Sequence, residues 1–487
     1  MADYDLVIRG GTVATATETF AADVGVKGGE ITAIGRNLGP GQKEVDAKGR
    51  LVLPGGVDAH AHIEQVSGMG VMNADNFESG TGSAALGGTT TVVCFAAQHK
   101  GKSLTKVLDD YHALAKKGAI IDYALHMILA DPTARVLKEE LPPLVKSGHA
   151  SIKLFMTYEH TKVDDEQLLD TLIAARENKA LVCVHAENNG MISWMGRRLV
   201  ERGYTAPKFH GPHHPRLCET EAIYRLAAFS ELVDQPVIVY HVSTDEGARV
   251  IREARGRGVK MFGETCTQYL TLTVDDLNKP GIEGAKWVCS PPLRWKSDQE
   301  ALWQALDRGD LQFISSDHAP YRFDDTGKLL KGPNPAFKEI ANGMPGLELR
   351  LPLLFDAMVS KGRYSVNRFV EWTSTAPARM YGLSPRKGSI CVGADADICI
   401  WDPKRRTTIT DATTHDNTGY TPYAGRTLEG WPTTVVRRGE IIADDGKLKA
   451  SAGSGQFLPR QAGEAAVPTG RLSPEFDESR NFGAKLY

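Results

Sequence analysis

Between residues 51 and 385 short apolar runs alternate with longer amphipathic ones, and this alternation constrains the fold more than any other feature. After an extended segment at 51–64, apolar runs fall at 90–95, 121–128, 151–155, 181–185, 237–241, 260–264 and 313–316. Segments 104–117, 165–178, 219–231, 245–257 and 297–308 carry apolar residues at helical spacing, and several open on Ser or Asp as N-cap. Repeated strand-then-helix units imply a parallel sheet. Continuous apolar runs such as TTVVCF (90–95) predict strands covered on both faces. An open doubly wound sheet is the competing arrangement. No GxGxxG follows the first strand, however, and the number of units favours a (β/α)8 barrel.

The chain ends have a different texture. Residues 2–50 read as short strands punctuated by glycine, with a KGGE hairpin turn at 27–30, and strand-like patterns return at 388–401 and 434–442. Each piece is too small to stand alone. The expected organisation is therefore one small β-sandwich built from 1–50 and 386–451, a barrel at 51–385, and a tail at 452–487. The tail, rich in Gly, Pro and Ser, is either disordered or an arm on another subunit; Phe457, Leu458, Phe476, Phe482 and Leu486 favour the arm, and so a homo-oligomer.

A net charge of −3 gives no reason to expect nucleic acid or a membrane surface as partner. Seven cysteines without a CxxC pair suggest free thiols in a reducing compartment. The N-terminus lacks an apolar h-region, and no apolar run reaches the roughly 18 residues of a membrane span. A soluble cytoplasmic protein is expected.

The chemistry lies where a barrel would put it, at the ends of the apolar runs. His60 and His62, two apart on an extended strand, share a face; His185 and His241 end later runs, and Asp317 follows FISS (313–316). Four imidazoles and a carboxylate suit two zinc-type ions in one site. Lys153 is the odd member, because an ammonium repels a cation. It is either a strand lysine with its head in solvent, or, carboxylated by carbon dioxide, an anionic carbamate able to bridge two metals.

The motifs GGVDAHAH (55–62), SIKLFMTY (151–158), VHAEN (184–188), HVST (241–244), ETCTQYL (264–270), SPPLR (290–294) and SSDHAP (315–320) resemble, in order, the cyclic amidohydrolases of the amidohydrolase superfamily. The resemblance extends through GADADICIWDP (393–403) to RRGEII (437–442), and is strongest to the hydantoinase/dihydropyrimidinase branch. It implies that His60, His62 and Asp317 hold one divalent ion, most simply zinc, and that His185 and His241 hold the other. Lys153, as N6-carboxylysine, bridges them. It also implies that hydroxide between the ions attacks a ring carbonyl to give an N-carbamoyl amino acid. Asp317 then shuttles the proton, Tyr158 donates to the oxyanion, and backbone groups of Ser290 and Asn342 hold the imide edge. Homotetramers are common among such relatives.

Asp58, Glu187, Asn188 and His318 are read as supports rather than ligands. The pair His213-His214 is assigned no metal, since neighbouring strand residues diverge and GPHHP (211–215) reads as a loop. Cys94, Cys183 and Cys289 read as buried small hydrophobes. Met69, Val71 and Met72 either line a pocket for the ring substituent, together with Phe155, or pack locally.

Relatives that open dihydroorotate carry an arginine just after the paired histidines. Here Ile63, Glu64 and Gln65 follow, and a glutamate would repel that anion. A neutral ring is favoured: a dihydropyrimidine or 5-substituted hydantoin, with a cyclic imide or allantoin as alternatives. A mononuclear deaminase of the superfamily would not need Lys153. A non-catalytic interaction protein of the same fold would have lost the ligands kept here.

Overall fold

The computed structural model describes residues 2–461 and 463–486. Among these, eight parallel strands follow one another around a barrel: Gly56–Ala61, Thr89–Ala97, Asp122–Ile128, Ser151–Phe155, Leu181–His185, Val237–Val239, Met261–Cys266 and Phe313–Ser315. The ring closes where Ala61 bridges His318 and the His62 amide donates to the His318 carbonyl at 2.7 Å. All nine residues of Thr89–Ala97 are buried. Helices cover their outer side and barrel side chains fill the inner one, which is why the run is continuously apolar from Val92 to Ala97 instead of alternating.

The helices Leu104–Gly118, Asp165–Asn178, Arg216–Val233, Asp245–Gly256 and Lys296–Arg308 lie where helical spacing placed them. Ser103, Asp164 and Thr244 cap three of them by accepting from backbone amides three residues on. Helix Phe77–Leu86 (FESGTGSAAL), capped by Asn76, was not read from the sequence: two glycines weaken it, and burial on nearly all sides erases any amphipathic stripe.

The two chain ends combine as expected, in a sheet running Lys447–Leu448, Glu440–Asp444, Thr427–Arg437, Ile398–Thr408, Leu51–Pro54, Tyr4–Ala14, Thr19–Lys27, Glu30–Gly35, with Gly41–Asp46 added parallel to Tyr4–Ala14. It wraps a core of its own that includes Leu6, Ile8, Val24, Val26, Ile31, Ile398, Ile400 and Val436. One boundary moves. Leu51–Pro54, expected in the barrel segment, pairs with strands of both chain ends, so the barrel begins at Gly56. Gly55 makes the passage possible, because a Cβ there would run into the Thr90 side chain. Lys387 ties sheet to barrel: its buried ammonium meets Asp122 at 2.7 Å, Asp397 at 2.8 Å and Asp395 at 2.9 Å.

The tail is ordered in its first half, a strap across the N-terminal end of its own barrel. The Tyr123 amide donates to Gln456 and the Leu458 amide to Tyr123. The buried Arg460 guanidinium donates to the Leu125 carbonyl at 2.9 Å and to Ser151 Oγ at 2.6 Å. Phe457 stacks on His149. Of the apolar tail residues, Val467, Phe482 and Leu486 stand exposed.

Candidate metal centre

A cavity of about 210 Å³ opens at the C-terminal end of the barrel, a space for one small ring and its substituent rather than a polymer. His60, His62, Met69, Lys153, Phe155, Tyr158, His185, His241, Ser290, Asp317 and Asn342 all line it. Sequence reasoning thus named residues scattered over nearly 300 positions that the fold brings to one wall. His60, His62 and Asp317 each present a ligand atom within 4.8 Å of the other two.

The imidazoles are held from behind. His60 Nδ1 pairs with Glu264 Oε1 at 2.6 Å and His62 Nδ1 with Gln65 Oε1 at 2.8 Å, which turns both Nε2 atoms toward Asp317 Oδ1, at 3.1 and 3.5 Å. His185 Nε2 meets Glu187 Oε2 at 2.7 Å, leaving Nδ1 for the cavity. A carboxylate or amide behind these three rings fixes the tautomer and raises the basicity, as around metal-bound histidines generally, whereas His241 Nδ1 is buried without a partner among the described residues. Burial lowers the His185 and His241 pKa values, so both rings are neutral and have lone pairs to give. At His60 burial pulls the same way, but the charges of Glu264 and Asp317 outweigh it and raise the value to about 9. Burial opposes the Asp317 charge, yet His60, with help from His62, holds its carboxyl well below the usual range.

Lys153 sits at the centre. Its side chain is fully buried, and Nζ has no hydrogen-bond partner among the described residues. The surroundings are aromatic, with Nζ 4.1 Å from the Tyr240 ring centroid and 4.9 Å from that of Phe155. Burial pushes its pKa down to about 8. It is therefore not a strand lysine with its head in solvent. A buried amine that parts readily with its proton can add carbon dioxide, and the resulting anion would compensate cations held by the imidazoles. The donor set and this orphaned amine fit two divalent ions.

Tyr158, Glu64, His241 and Asp317 all have positive φ, between 41° and 70°. Such conformations cost non-glycine residues about 1–2 kcal/mol each and cluster at functional sites. Tyr158 lies within hydrogen-bonding reach of Ser290 and Asn342, and burial raises its pKa so that the phenol keeps its proton. Ser290 gives its hydroxyl to Glu187 at 2.8 Å, leaving its main chain for a ligand.

The supports fall where expected. Asp58 accepts the His60 and Ser316 amides and faces Arg350 at 3.4 Å. Asn188 caps helix Asn189–Glu201. His318 points away from the cavity, to Asp75 at 2.9 Å. Met69 lines the cavity, whereas Val71 packs with Ala319, Tyr321 and Ala341 beneath the loop, and Met72 is exposed outside the lining. GPHHP is not simply a loop: residues His210–His213 form a helical turn, and the His213 and His214 rings lie 4.6 Å apart.

Two residues escaped the sequence reading. Glu264, which ends the apolar run 260–264, braces His60 and accepts from the His241 amide; an acidic residue at a barrel-strand end was its signal. Lys328, fully buried, donates to the Val288 and Ala341 carbonyls, both at 2.9 Å, and so clamps the segments carrying Ser290 and Asn342. It comes from an irregular stretch and gave no signal.

Comparison with known proteins identifies the family. Residues 51–442 match the model of the amidohydrolase family. The chain belongs to the amidohydrolase family. Over 458 residues it is 42% identical to a D-hydantoinase of Ralstonia pickettii, covering 94% of this chain and 99% of the relative. A D-phenylhydantoinase of Escherichia coli O7:K1 is 35% identical over 460 residues, with 94% and 98% covered. The crystal structure of dihydropyrimidinase from Brevibacillus agri NCHU1002 superposes with a TM-score of 0.91 at 41% identity, covering 94% and 99% of the two chains. The amidohydrolase barrel and its end sheet are thus shared along nearly the whole length.

Proposed function

We propose that this amidohydrolase opens neutral cyclic amides, 5-substituted hydantoins foremost and dihydropyrimidines next, to N-carbamoyl amino acids. The observation that carries this reading is the buried, unpartnered Lys153 amine among four imidazoles and Asp317 at the ends of different barrel strands. His60, His62 and Asp317 would hold one divalent ion and His185 and His241 another, both zinc, with Lys153 as N6-carboxylysine reaching both. When bound, such ions supply Lewis acidity and lower the pKa of a coordinated water from nearly 16 to about 7.

The remaining work falls to the chain. Asp317, kept ionised, takes the proton from the attacking water and returns it to the departing ring nitrogen. The protonated Tyr158 phenol donates to the carbonyl oxygen as charge develops on it. Main-chain groups of Ser290 and Asn342 orient the imide edge, and Phe155 and Met69 meet the substituent. Glu64 spends its carboxylate on the Phe77 amide, and no arginine lines the cavity among the described residues, which supports a neutral ring over a carboxylated one.

The names of the relatives support a preference for D enantiomers. Free thiols support the cytoplasm, and the exposed Phe482 and Leu486 support a homo-oligomer, in our reading a tetramer. No helix among the described residues is long and apolar enough to cross a membrane.

The test is a panel of D- and L-phenylhydantoin, hydantoin, dihydrouracil, succinimide and allantoin. Ring opening of the hydantoins and dihydrouracil, with D favoured, is expected. Turnover of succinimide or allantoin alone would overturn the substrate assignment.

A further inference from the structure

A second group of imidazoles is buried behind the cavity. One nitrogen from each of His210, His213 and His214 lies within 4.8 Å of the other two, and the residues are only 1%, 9% and 2% exposed. The short helical turn His210–His213 sets the first two on one face, and the chain leaves the helix at His214, which swings the third ring back against them.

Each ring has an outward hydrogen bond. His210 Nε2 donates to the Cys289 carbonyl at 2.7 Å, and His214 Nδ1 donates to Glu187 Oε1 at 2.8 Å. His213 bonds the Ile192 main chain; its Nε2 lies so close to Gly196 that a Cβ there would approach within 2.7 Å. One nitrogen is left over on each ring. His210 Nδ1 and His213 Nδ1 are buried without a partner, and His214 is left with Nε2. Burial and the neighbouring rings hold His210 far below its ordinary pKa and bring His213 to about 3, so both are neutral. Converging lone pairs in a buried space are unfavourable unless something shares them. A carbonyl or carboxylate behind each ring, with the other nitrogen free, is the arrangement that supports imidazole ligands.

We propose that His210, His213 and His214 bind a Zn²⁺ ion separate from the catalytic pair, with water as fourth ligand. Neutral imidazoles suit zinc, and Cys218 is turned toward Glu187 at 3.5 Å rather than into the triad. With Zn–N bonds of about 2.0–2.1 Å, tetrahedral geometry needs N···N separations of about 3.3 Å, so the rings close by up to about 1.5 Å on the ion. Glu187 links the two sites, since its second oxygen holds His185. The ion would therefore pin segment 207–216 against the end of the fifth barrel strand.

The experiment measures zinc per chain by mass spectrometry after stripping, zinc reloading and desalting, in the full-length wild type, His213→Gln, Lys153→Ala and the double variant. Wild type should retain one zinc more than His213→Gln. Lys153→Ala, whatever it loses from the catalytic pair, should still hold one, and the double variant should lose that one. Equal zinc in wild type and His213→Gln, or none in Lys153→Ala, would overturn the proposal. Anomalous diffraction from zinc-loaded wild-type crystals tests it without a variant: a peak among the three rings supports the site, and its absence beside filled catalytic positions contradicts it.

Discussion

Lys153 shows how far burial alone can change a side chain's chemistry. In the metal-free chain its amine has a pKa near 8 instead of 10.5, because no group solvates the charge. Between those values the unfolded chain binds a proton that the folded chain does not, so stability rises with pH; below 8 both states are protonated and the full penalty applies. One pH unit corresponds to about 1.4 kcal/mol. Unfolding by urea should therefore show metal-free wild type gaining on the order of 2 kcal/mol over Lys153→Met between pH 8 and 10. Other titrating groups, the buried Lys328 included, cancel in that difference. Parallel profiles would mean that the amine is not desolvated as described. The histidines and Asp317 were legible because they stand at the ends of apolar runs, and Lys153 because it is a lone charge inside one. Glu264 was legible only as motif, Lys328 not at all, and the left-handed backbone at Tyr158, His241 and Asp317 leaves no mark on residue type.

At the scale of elements, rigid strand ends carry the candidate ligands, while the loop 64–73 and the last residue of strand Ser151–Phe155 shape the entrance. Ser290 and Asn342 address what all cyclic imides share, so discrimination falls to apolar contact, where a methylene is worth about 1–3 kcal/mol, or 10- to 200-fold. Met69→Ala and Phe155→Ala should each shift the kcat/KM ratio of phenylhydantoin to hydantoin within that range at unchanged metal content. An equal loss on both rings would mean that the loop only closes the site. Strand order was readable because both-face burial leaves continuous apolar runs, and capped helices because Ser103, Asp164 and Thr244 mark their starts. Helix Phe77–Leu86 was not, since a helix buried nearly all round shows no periodicity.

At the scale of the whole molecule, the chain ends form the second sheet, and the tail then seals the barrel floor. Composition left 452–487 as either disordered or an arm on another subunit; the order of its first half comes from main-chain pairing with barrel strands and from Arg460, neither of which needs an apolar pattern. Arg460→Ala removes the guanidinium's bond to the Leu125 carbonyl and leaves the Ser151 hydroxyl with His126 alone, and should cost about 1–3 kcal/mol in urea unfolding. Phe482→Ser, on the exposed end, should stay within about 0.5 kcal/mol. Equal effects would mean that the strap does not hold the floor. The central claim, that barrel, imidazoles and Lys153 together make a metal-dependent cyclic amide hydrolase, is tested most directly by D-phenylhydantoin turnover in chelator-stripped protein before and after addition of zinc and bicarbonate. Stripped protein should open no ring, and turnover should return only when both are added. Full turnover by metal-free protein would contradict it.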